Sequence, residues 1–201
     1  MGKMGKILIG LGIIIVVIFL IASWLFGIRN NMVTLEEGIN SSWAQVQNQY
    51  QRRYDLIPNL VETVKGFASQ EKDVLLGVTE ARAKAGGVMN ISPQTLEDPQ
   101  AFARFQEAQA GLGAALQRLL VVVERYPDLK SNQNFLTLQS QLEGTENRIS
   151  VERRRFNEQV QAYNSYIRKI PQTFVASIFG FQPKAYFQAT AEAEQAPKVE
   201  F

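Results

Sequence analysis

The chain has 201 residues, 46% hydrophobic and 20% charged, with 21 Lys and Arg against 19 Asp and Glu and neither Cys nor His. Without cysteine there is no disulfide framework, thiolate metal site or thiol nucleophile. Without histidine, Ser-His-Asp hydrolysis, H-E-x-x-H zinc chemistry and the Glu-x-x-His di-iron bundle cannot be assembled.

After a short tail, residues 1–6, comes the run ILIGLGIIIVVIFLIASWLFGI at 7–28, uncharged and bracketed by Lys3 and Lys6 before it and Arg29 after it. Its 22 residues at about 1.5 Å each reach roughly 33 Å, enough for the ~30 Å hydrocarbon core. Ile7, Ile15, Phe19, Trp24 and Ile28 are the expected anchor residues, with the Trp24 ring at headgroup level. A cleaved signal peptide is the competing reading. Its apolar stretch would be about 7–15 residues with an A-x-A-like exit, whereas this run is longer and ends in Trp-Leu-Phe. By a margin of one charge, the positive-inside rule favours a cytoplasmic N-terminus and an extracytoplasmic remainder.

Residues 1–28 hold two Lys and no acid, so the rest of the chain carries 19 basic and 19 acidic residues and is formally neutral. A nucleic-acid binder needs a basic surplus, so nucleic acid is not an expected partner. Arg52-Arg53 and Arg153-Arg154-Arg155 read as solvated faces or interhelix pairs.

Beyond Arg29 a 4–3 alternation runs through Met32, Glu36, Ile39, Trp43, Val46, Tyr50, Arg53, Ile57, Leu60, Val64, Phe67, Glu71, Val74, Val78, Ala81 and Ala85, and 13 of these 16 positions are apolar. Such a repeat predicts one long helix that supercoils against partners. A kink or short break is expected near Asp55–Pro58, and a stop at Gly86-Gly87. Asp98-Pro99 predicts the N-cap of a second helix, with stripe residues Phe102, Phe105, Leu112, Leu116, Leu119, Val123 and Tyr126 and only Gln109 polar in its slot. That helix stops at Pro127. A third, capped by Asp128 or Ser131, carries Phe135, Leu138, Leu142, Ile149, Phe156, Tyr163, Tyr166 and Ile170, and closes at Pro171. Residues 173–187, TFVASIFGFQPKAYF, predict a short helix and an aromatic plug, or else insertion into the membrane surface or a neighbouring subunit.

Two stretches are more specific than generic heptads. One is Asn40-Ser-Ser-Trp43-Ala-Gln-Val, continuing through Gln51-Arg-Arg-Tyr-Asp-Leu-Ile-Pro-Asn-Leu-Val-Glu-Thr-Val-Lys-Gly66 to Glu71 and Ala81-Arg82. The other is Glu124-Arg-Tyr-Pro-Asp-Leu-Lys130 with Asn132 and Phe135, then Leu142-Glu-Gly-Thr-Glu-Asn-Arg-Ile149, Arg154-Arg155-Phe156-Asn157, Tyr163-Asn164, Pro171 and Phe179-Gly180-Phe181. Together they resemble the bacterial LemA family, from the membrane helix to about Phe187; the tail after Phe187 has no clear counterpart. The resemblance implies a single membrane-spanning helix and an elongated antiparallel helical bundle in a bacterial cell membrane. It implies no known enzyme activity, catalytic residue or cofactor, and related proteins occur among magnetosome membrane components.

The expected architecture is all-α: a transmembrane helix at 7–28, then an elongated antiparallel up-and-down bundle over 29–187 with three long helices and a short C-terminal fourth, and a flexible Ala/Glu-rich tail at 188–201. Trp43, Tyr50, Ile57, Leu60, Val64, Phe135, Leu142, Ile149 and Phe156 form the expected core stripe. Arg53, Asp55, Asn59, Glu62, Glu146, Asn147, Arg148 and Asn157 are candidates for an interhelix polar network that sets register, or for a subunit interface. Asp55, Glu62 and Glu146 form a weaker candidate for Mg²⁺ or Ca²⁺, since their spacing resembles no defined loop.

A first helix of roughly 80 Å outreaches a second of about half that residue count, which leaves part of its stripe to pair with the broken fourth segment, the membrane surface or another copy, and so argues for self-association. The expected function is thus a non-enzymatic, cofactor-free, membrane-anchored scaffold that self-associates and organises membrane or envelope proteins in the bacterial inner membrane. The alternatives are an adaptor or regulator docking on a membrane partner such as a protease or transport complex, and a helical-bundle ligand sensor.

Overall fold

A computed structural model describes residues 2–89 and 93–188, with the side chains of 3–7 and 93–94 outside the description. The tail expected to be flexible lies outside the described residues apart from Gln188. The described chain is all-helical: α1 Lys3–Phe67, α2 Lys72–Gly87, a 3₁₀ turn Pro93–Glu97, α3 Pro99–Val123, α4 Pro127–Lys130, α5 Gln133–Ile167 and α6 Gln172–Phe179.

The 65 residues of α1 form one continuous helix, about 98 Å long if straight. Its N-terminal part is apolar all round. Ile15, Phe19 and Trp24 are 58%, 70% and 56% exposed, and none of the most apolar stretch is buried by the rest of the chain. It is long and apolar enough to cross a membrane. Two anchor residues need separate comment. The side chain of Ile7 lies outside the described residues. Ile28 is no lipid-facing anchor: it is 6% exposed and belongs to the domain core, with Leu25 packed beside it. The fully exposed apolar run therefore ends near Phe26, and α1 enters its own domain within one turn.

The expected break near Pro58 is absent; the break falls at residues 68–71 instead. The reason is local. A proline at 58 cannot donate to the carbonyl of Tyr54, four residues back. Arg82 Nε donates to that carbonyl at 3.2 Å, and its guanidinium lies 3.8 Å over the Tyr54 ring. The freed acceptor is thus satisfied by α2, which doubles back along α1. Gly86, one turn on, permits the approach: a Cβ there would sit 2.9 Å from Tyr54 Oη. At the elbow, Ala68 is fully buried in the seam in place of the exposed Phe67. Tyr126 Oη donates to Glu71 at 3.0 Å and accepts from Gln70 Nε2 at 3.0 Å, which ties the elbow to the α3–α4 corner.

α5 packs along α1, and α3 packs along α2. Asp98 caps α3 by accepting from the Gln100 and Ala101 amides. Asn132, rather than Asp128 or Ser131, caps α5 by accepting from Asn134 and Phe135; Asp128 is occupied inside α4. All nine stripe residues are buried: Trp43, Tyr50, Ile149 and Phe156 in the cluster nearer the apolar run, and Ile57, Leu60, Val64, Phe135 and Leu142 in the distal one. The seam from Met32 to Val64 is therefore covered within the chain, by α2, α3, α5 and the segment after α6. The uncovered stripe expected from a straight first helix is not there, because α5 packs along α1 and the last 16 residues of the expected helix fold back as α2.

In the full chain, Arg82→Ala is expected to cost about 1–3 kcal/mol in thermal unfolding, from a charge-assisted bond and a ring contact. The cost should shrink in a Pro58→Ala background, where residue 58 regains its own donor. Equal costs in the two backgrounds would refute the substitution of Arg82 for the missing amide.

Candidate functional site: a buried arginine beneath the α3–α5 groove

Arg53, Gln109 and Glu146 come from three helices, each at or beside a core position of its own repeat. Arg53 lies between Tyr50 and Ile57, Gln109 between Phe105 and Leu112, and Glu146 between Leu142 and Ile149. Burial at those positions forces the polar groups to satisfy one another. Arg53, 4% exposed, donates through Nη1 to Glu146 Oε1 at 2.9 Å and Oε2 at 3.3 Å. Its Nη2 donates to the Gln109 carbonyl at 3.3 Å and to Gln109 Oε1. Arg53 Nε and Gln109 Nε2 have no partner among the described residues.

These groups floor a groove of about 660 Å³ whose lining includes Tyr50, Gln106 and Arg153, with Gly111 and Gly113 on α3. Burial pushes the Tyr50 phenol above its ordinary pKa, with Arg153 and Arg53 acting against it. The groove thus offers hydrogen-bond donors and a neutralised cation. A second groove of about 680 Å³ runs between α2 and α3, with Gly77 and Gly111 at its base and Glu80, Lys84, Arg104 and Arg118 in its lining.

Of the candidate polar residues, the structure brings Arg53 and Glu146 together. Asp55, Asn59, Glu62, Asn147 and Arg148 are exposed and do not join them. Asp55, two residues after Arg53, projects from the opposite side of α1 and accepts from Gln51 on its own helix at 2.7 Å. Glu62 faces Lys65 at 3.5 Å. Among the described residues no three carboxylates gather to hold a cation, so Asp55, Glu62 and Glu146 do not form the divalent site considered from sequence.

Asn157 belongs to a different structure, a clasp on the segment after α6. Its amide donates to the Phe187 carbonyl and accepts from the Phe187 amide, both at 2.9 Å. Asn164 repeats this with Lys184, again at 2.9 Å both ways. Two asparagines one helical face apart thus treat residues 184–187 as a strand edge would. They seat Phe187 among Trp43, Phe102 and Phe156, with the Phe102 ring centroid 4.9 Å away. Lys184 Nζ, 4% exposed, lies 2.8 Å from Glu36 and also pairs with Glu97. Burial alone would depress the Lys184 pKa, but hydrogen bonds and charge from the two glutamates outweigh it and hold the ammonium above the ordinary lysine value. Burial likewise raises the Tyr163 phenol, which donates to the Gln182 carbonyl at 3.0 Å. Gln109, Lys184 and Asn164 are not among the site candidates of the sequence, although Asn164 belongs to the Tyr163-Asn164 motif. For Gln109 the signal existed, as a polar residue in an apolar slot.

The sequence matches the LemA family over residues 42–201. The chain belongs to the LemA family. Magnetosome protein MamQ 1 of Paramagnetospirillum magneticum is 28% identical over 174 residues, 79% of this chain and 64% of that protein; MamQ of Magnetospirillum gryphiswaldense matches to the same degree over 173 residues. Protein LemA of Metamycoplasma hominis is 21% identical over 164 residues, 82% of this chain and 70% of that protein. The match thus spans under two thirds of the MamQ proteins' length. A membrane-associated helical protein fits both the family and the long apolar helix.

Two outcomes follow for this LemA protein. Glu146→Ala, which strands a buried guanidinium, should cost about 2–3 kcal/mol, discounted for the half-exposed carboxylate, and Arg53→Met clearly less, because Glu146 can turn to water. The reverse order in thermal unfolding would contradict the cluster's energetics. The second outcome concerns pH. A raised folded-state pKa at Lys184 gives stability fully present below the unfolded lysine value and lost as pH rises through the folded one; the raised Tyr163 phenol acts in the same direction. Stability should hold through neutral pH and fall above about 10, and Lys184→Met should flatten that alkaline decline.

Proposed function

We propose that this LemA protein is a non-enzymatic, membrane-anchored post: α1 crosses the inner membrane and carries an antiparallel up-and-down bundle of α1, α2, α3 and α5 that presents its grooves to a membrane or envelope partner. The observation that carries this reading is the continuity of α1. The apolar run and the packed seam lie on one unbroken helix, so the domain stands directly on the lipid with no linker between. The N-terminus is cytoplasmic and the bundle extracytoplasmic in this proposal, on the charge asymmetry of Lys3 and Lys6 against Arg29. The relatives named as magnetosome proteins support a membrane-associated role for this chain.

The adaptor reading now ranks above self-association through the seam, since the seam is already covered. Contact between copies is left with the membrane helix, where the Cβ positions of Gly10, Gly12 and Gly27 meet open space, or with the grooves.

The test uses photo-crosslinkers at Gln106 in the α3–α5 groove and at Ile15 in the span, in native membranes. A crosslink from Gln106 to a distinct membrane protein supports the adaptor reading. Crosslinks only between copies support a self-assembling scaffold. If Gln106 links to neither, the groove-presenting function is overturned. Single cysteines at Gly2 and Ser140, both exposed, probed in intact cells with an impermeant maleimide, decide the side: only Ser140 should react.

A further inference from the structure

The domain leaves one apolar surface uncovered, and it sits at the level where α1 leaves the lipid. Ile170, Phe174, Ile178 and Phe179 are 81%, 63%, 76% and 46% exposed. Phe174 and Ile178, four residues apart, share one face of α6, while Val175 and Ala176 are buried on the other. That buried face joins the cluster containing Ile28, with Leu25 packed against it. The Arg29 guanidinium lies 5.4 Å from the centroid of the Phe179 ring. The remaining exposed large hydrophobics beyond the span, such as Leu76, Val121 and Leu136, are scattered over other helices.

We propose that α6 is a second membrane contact: Ile170, Phe174, Ile178 and Phe179 are seated in the headgroup–acyl boundary of the leaflet through which α1 emerges. This rests on the reading of α1 as a transmembrane anchor. Three observations select lipid over a protein as the occupant. The patch lies beside the end of the exposed run, since Leu25 packs on the cluster that holds Val175 and Ala176 and Arg29 lies over Phe179, so a bilayer that covers that run reaches α6 without any further binding event. The charge is right: residues 163–188 contain no acid, and Arg168 and Lys169, both exposed, directly precede Ile170, which suits anionic headgroups. The geometry is right too. Leu8–Phe26 span about 28 Å at 1.5 Å per residue, so the hydrocarbon boundary falls within a turn of Arg29, beside Phe179. An apolar face lying flat beside a perpendicular anchor also fixes the tilt of the domain, because rocking would lift α6 out of the interface.

The native chain has no cysteine, so single cysteines at Ile15, Phe174, Ile178 and Ser140 carry an environment-sensitive fluorophore in the full chain, reconstituted at about one copy per vesicle of phosphatidylcholine with phosphatidylglycerol. Lipids bearing a spin label near the headgroup or deep in the acyl chain serve as quenchers. The expected result is loss of emission at 174 and 178 with the shallow label, loss at 15 with the deep label, and no loss at 140. Replacing phosphatidylglycerol by phosphatidylcholine should weaken quenching at 174 and 178 and leave position 15 unchanged. Quenching at 15 without quenching at 174 or 178 overturns the α6 proposal and leaves the anchor standing, whether those probes are solvent-bright or blue-shifted against the chain's own tail or another copy. No quenching at 15 means that the anchor reading has failed. A Phe174→Glu, Ile178→Glu chain, probed at Thr173, should lose shallow quenching while its thermal unfolding changes little, since both side chains are already exposed.

Discussion

The structure depends on α1 remaining a single helix through a proline. Everything else is placed relative to that rod: α5 along it, α2 folded back onto it, and the C-terminal segment pinned near the end of its exposed apolar run. Helix continuity across Pro58 leaves one main-chain acceptor short of a donor, and an unpaired buried carbonyl is costly. Arg82 meets that need from another helix. The proline therefore becomes a registration mark: α2 is positioned where its arginine finds the one exceptional carbonyl on α1. Gly86 adds the closeness, since any side chain there would drive into Tyr54.

Two long cations, Arg53 and Lys184, share a design. Each buries its stem between helices and satisfies its head with groups from two other elements. Buried ion pairs contribute little net stability against an apolar alternative, but they penalise any arrangement that separates the partners. A heptad seam of Ile, Leu and Val tolerates sliding by whole repeats, and a fixed charge does not. Arg53 locks α1 against α3 and α5 in the middle of the domain. Lys184 locks the final segment against Glu36 of α1 and Glu97 of the 3₁₀ turn. The asparagine clasps do the same for main chain that has no regular partner of its own.

Much of this was legible in the sequence. The nine core-stripe residues, Trp43 through Phe156, are all buried because a 3.5-residue period has one physical reading, a face that must be covered, whereas Phe67 and Ile170, expected in the same stripes, fall at or beyond the ends of their helices and are exposed. The ends at Gly87 and Asp98 were legible because glycine and a capping aspartate act locally, whereas α3 stops at Val123 and Pro127, expected to end it, opens α4 instead. The elbow at 68–71 was not. The apolar phase runs through it without a slip, Ala68 takes the buried slot, and no proline marks it; the proline that is present lies in a place the fold repairs. Asp55, Asn59 and Glu62 do share one helix face, as their i, i+4 and i+7 spacing indicates, but that face is the exposed one, and a two-residue offset from Arg53 is enough to send a side chain to solvent. Lys184 carried no sequence signal, and Asn164 only its place in the Tyr163-Asn164 motif, since their roles arise only after a tertiary contact has been made.

A long heptad stripe states that a covering surface exists and is silent about which chain supplies it. The inference to self-association compared the lengths of helices assumed to be straight. Once α2 turns back, the same residues that lengthened the stripe become its cover, and Phe187 closes the aromatic end. Among the described residues, the exposed apolar side chains that cluster are instead the run from Leu8 to Phe26 and the outer face of α6. Both lie at the same end. The clustered exposed apolar area of this LemA protein is thus at the apolar end of α1, while Leu76, Val121 and Leu136 are exposed singly elsewhere. The grooves lined by Glu80, Lys84, Arg104, Gln106 and Glu146 lie farther along the domain, so a partner of the proposed kind would be selected there by hydrogen bonds and charge rather than by a greasy seam.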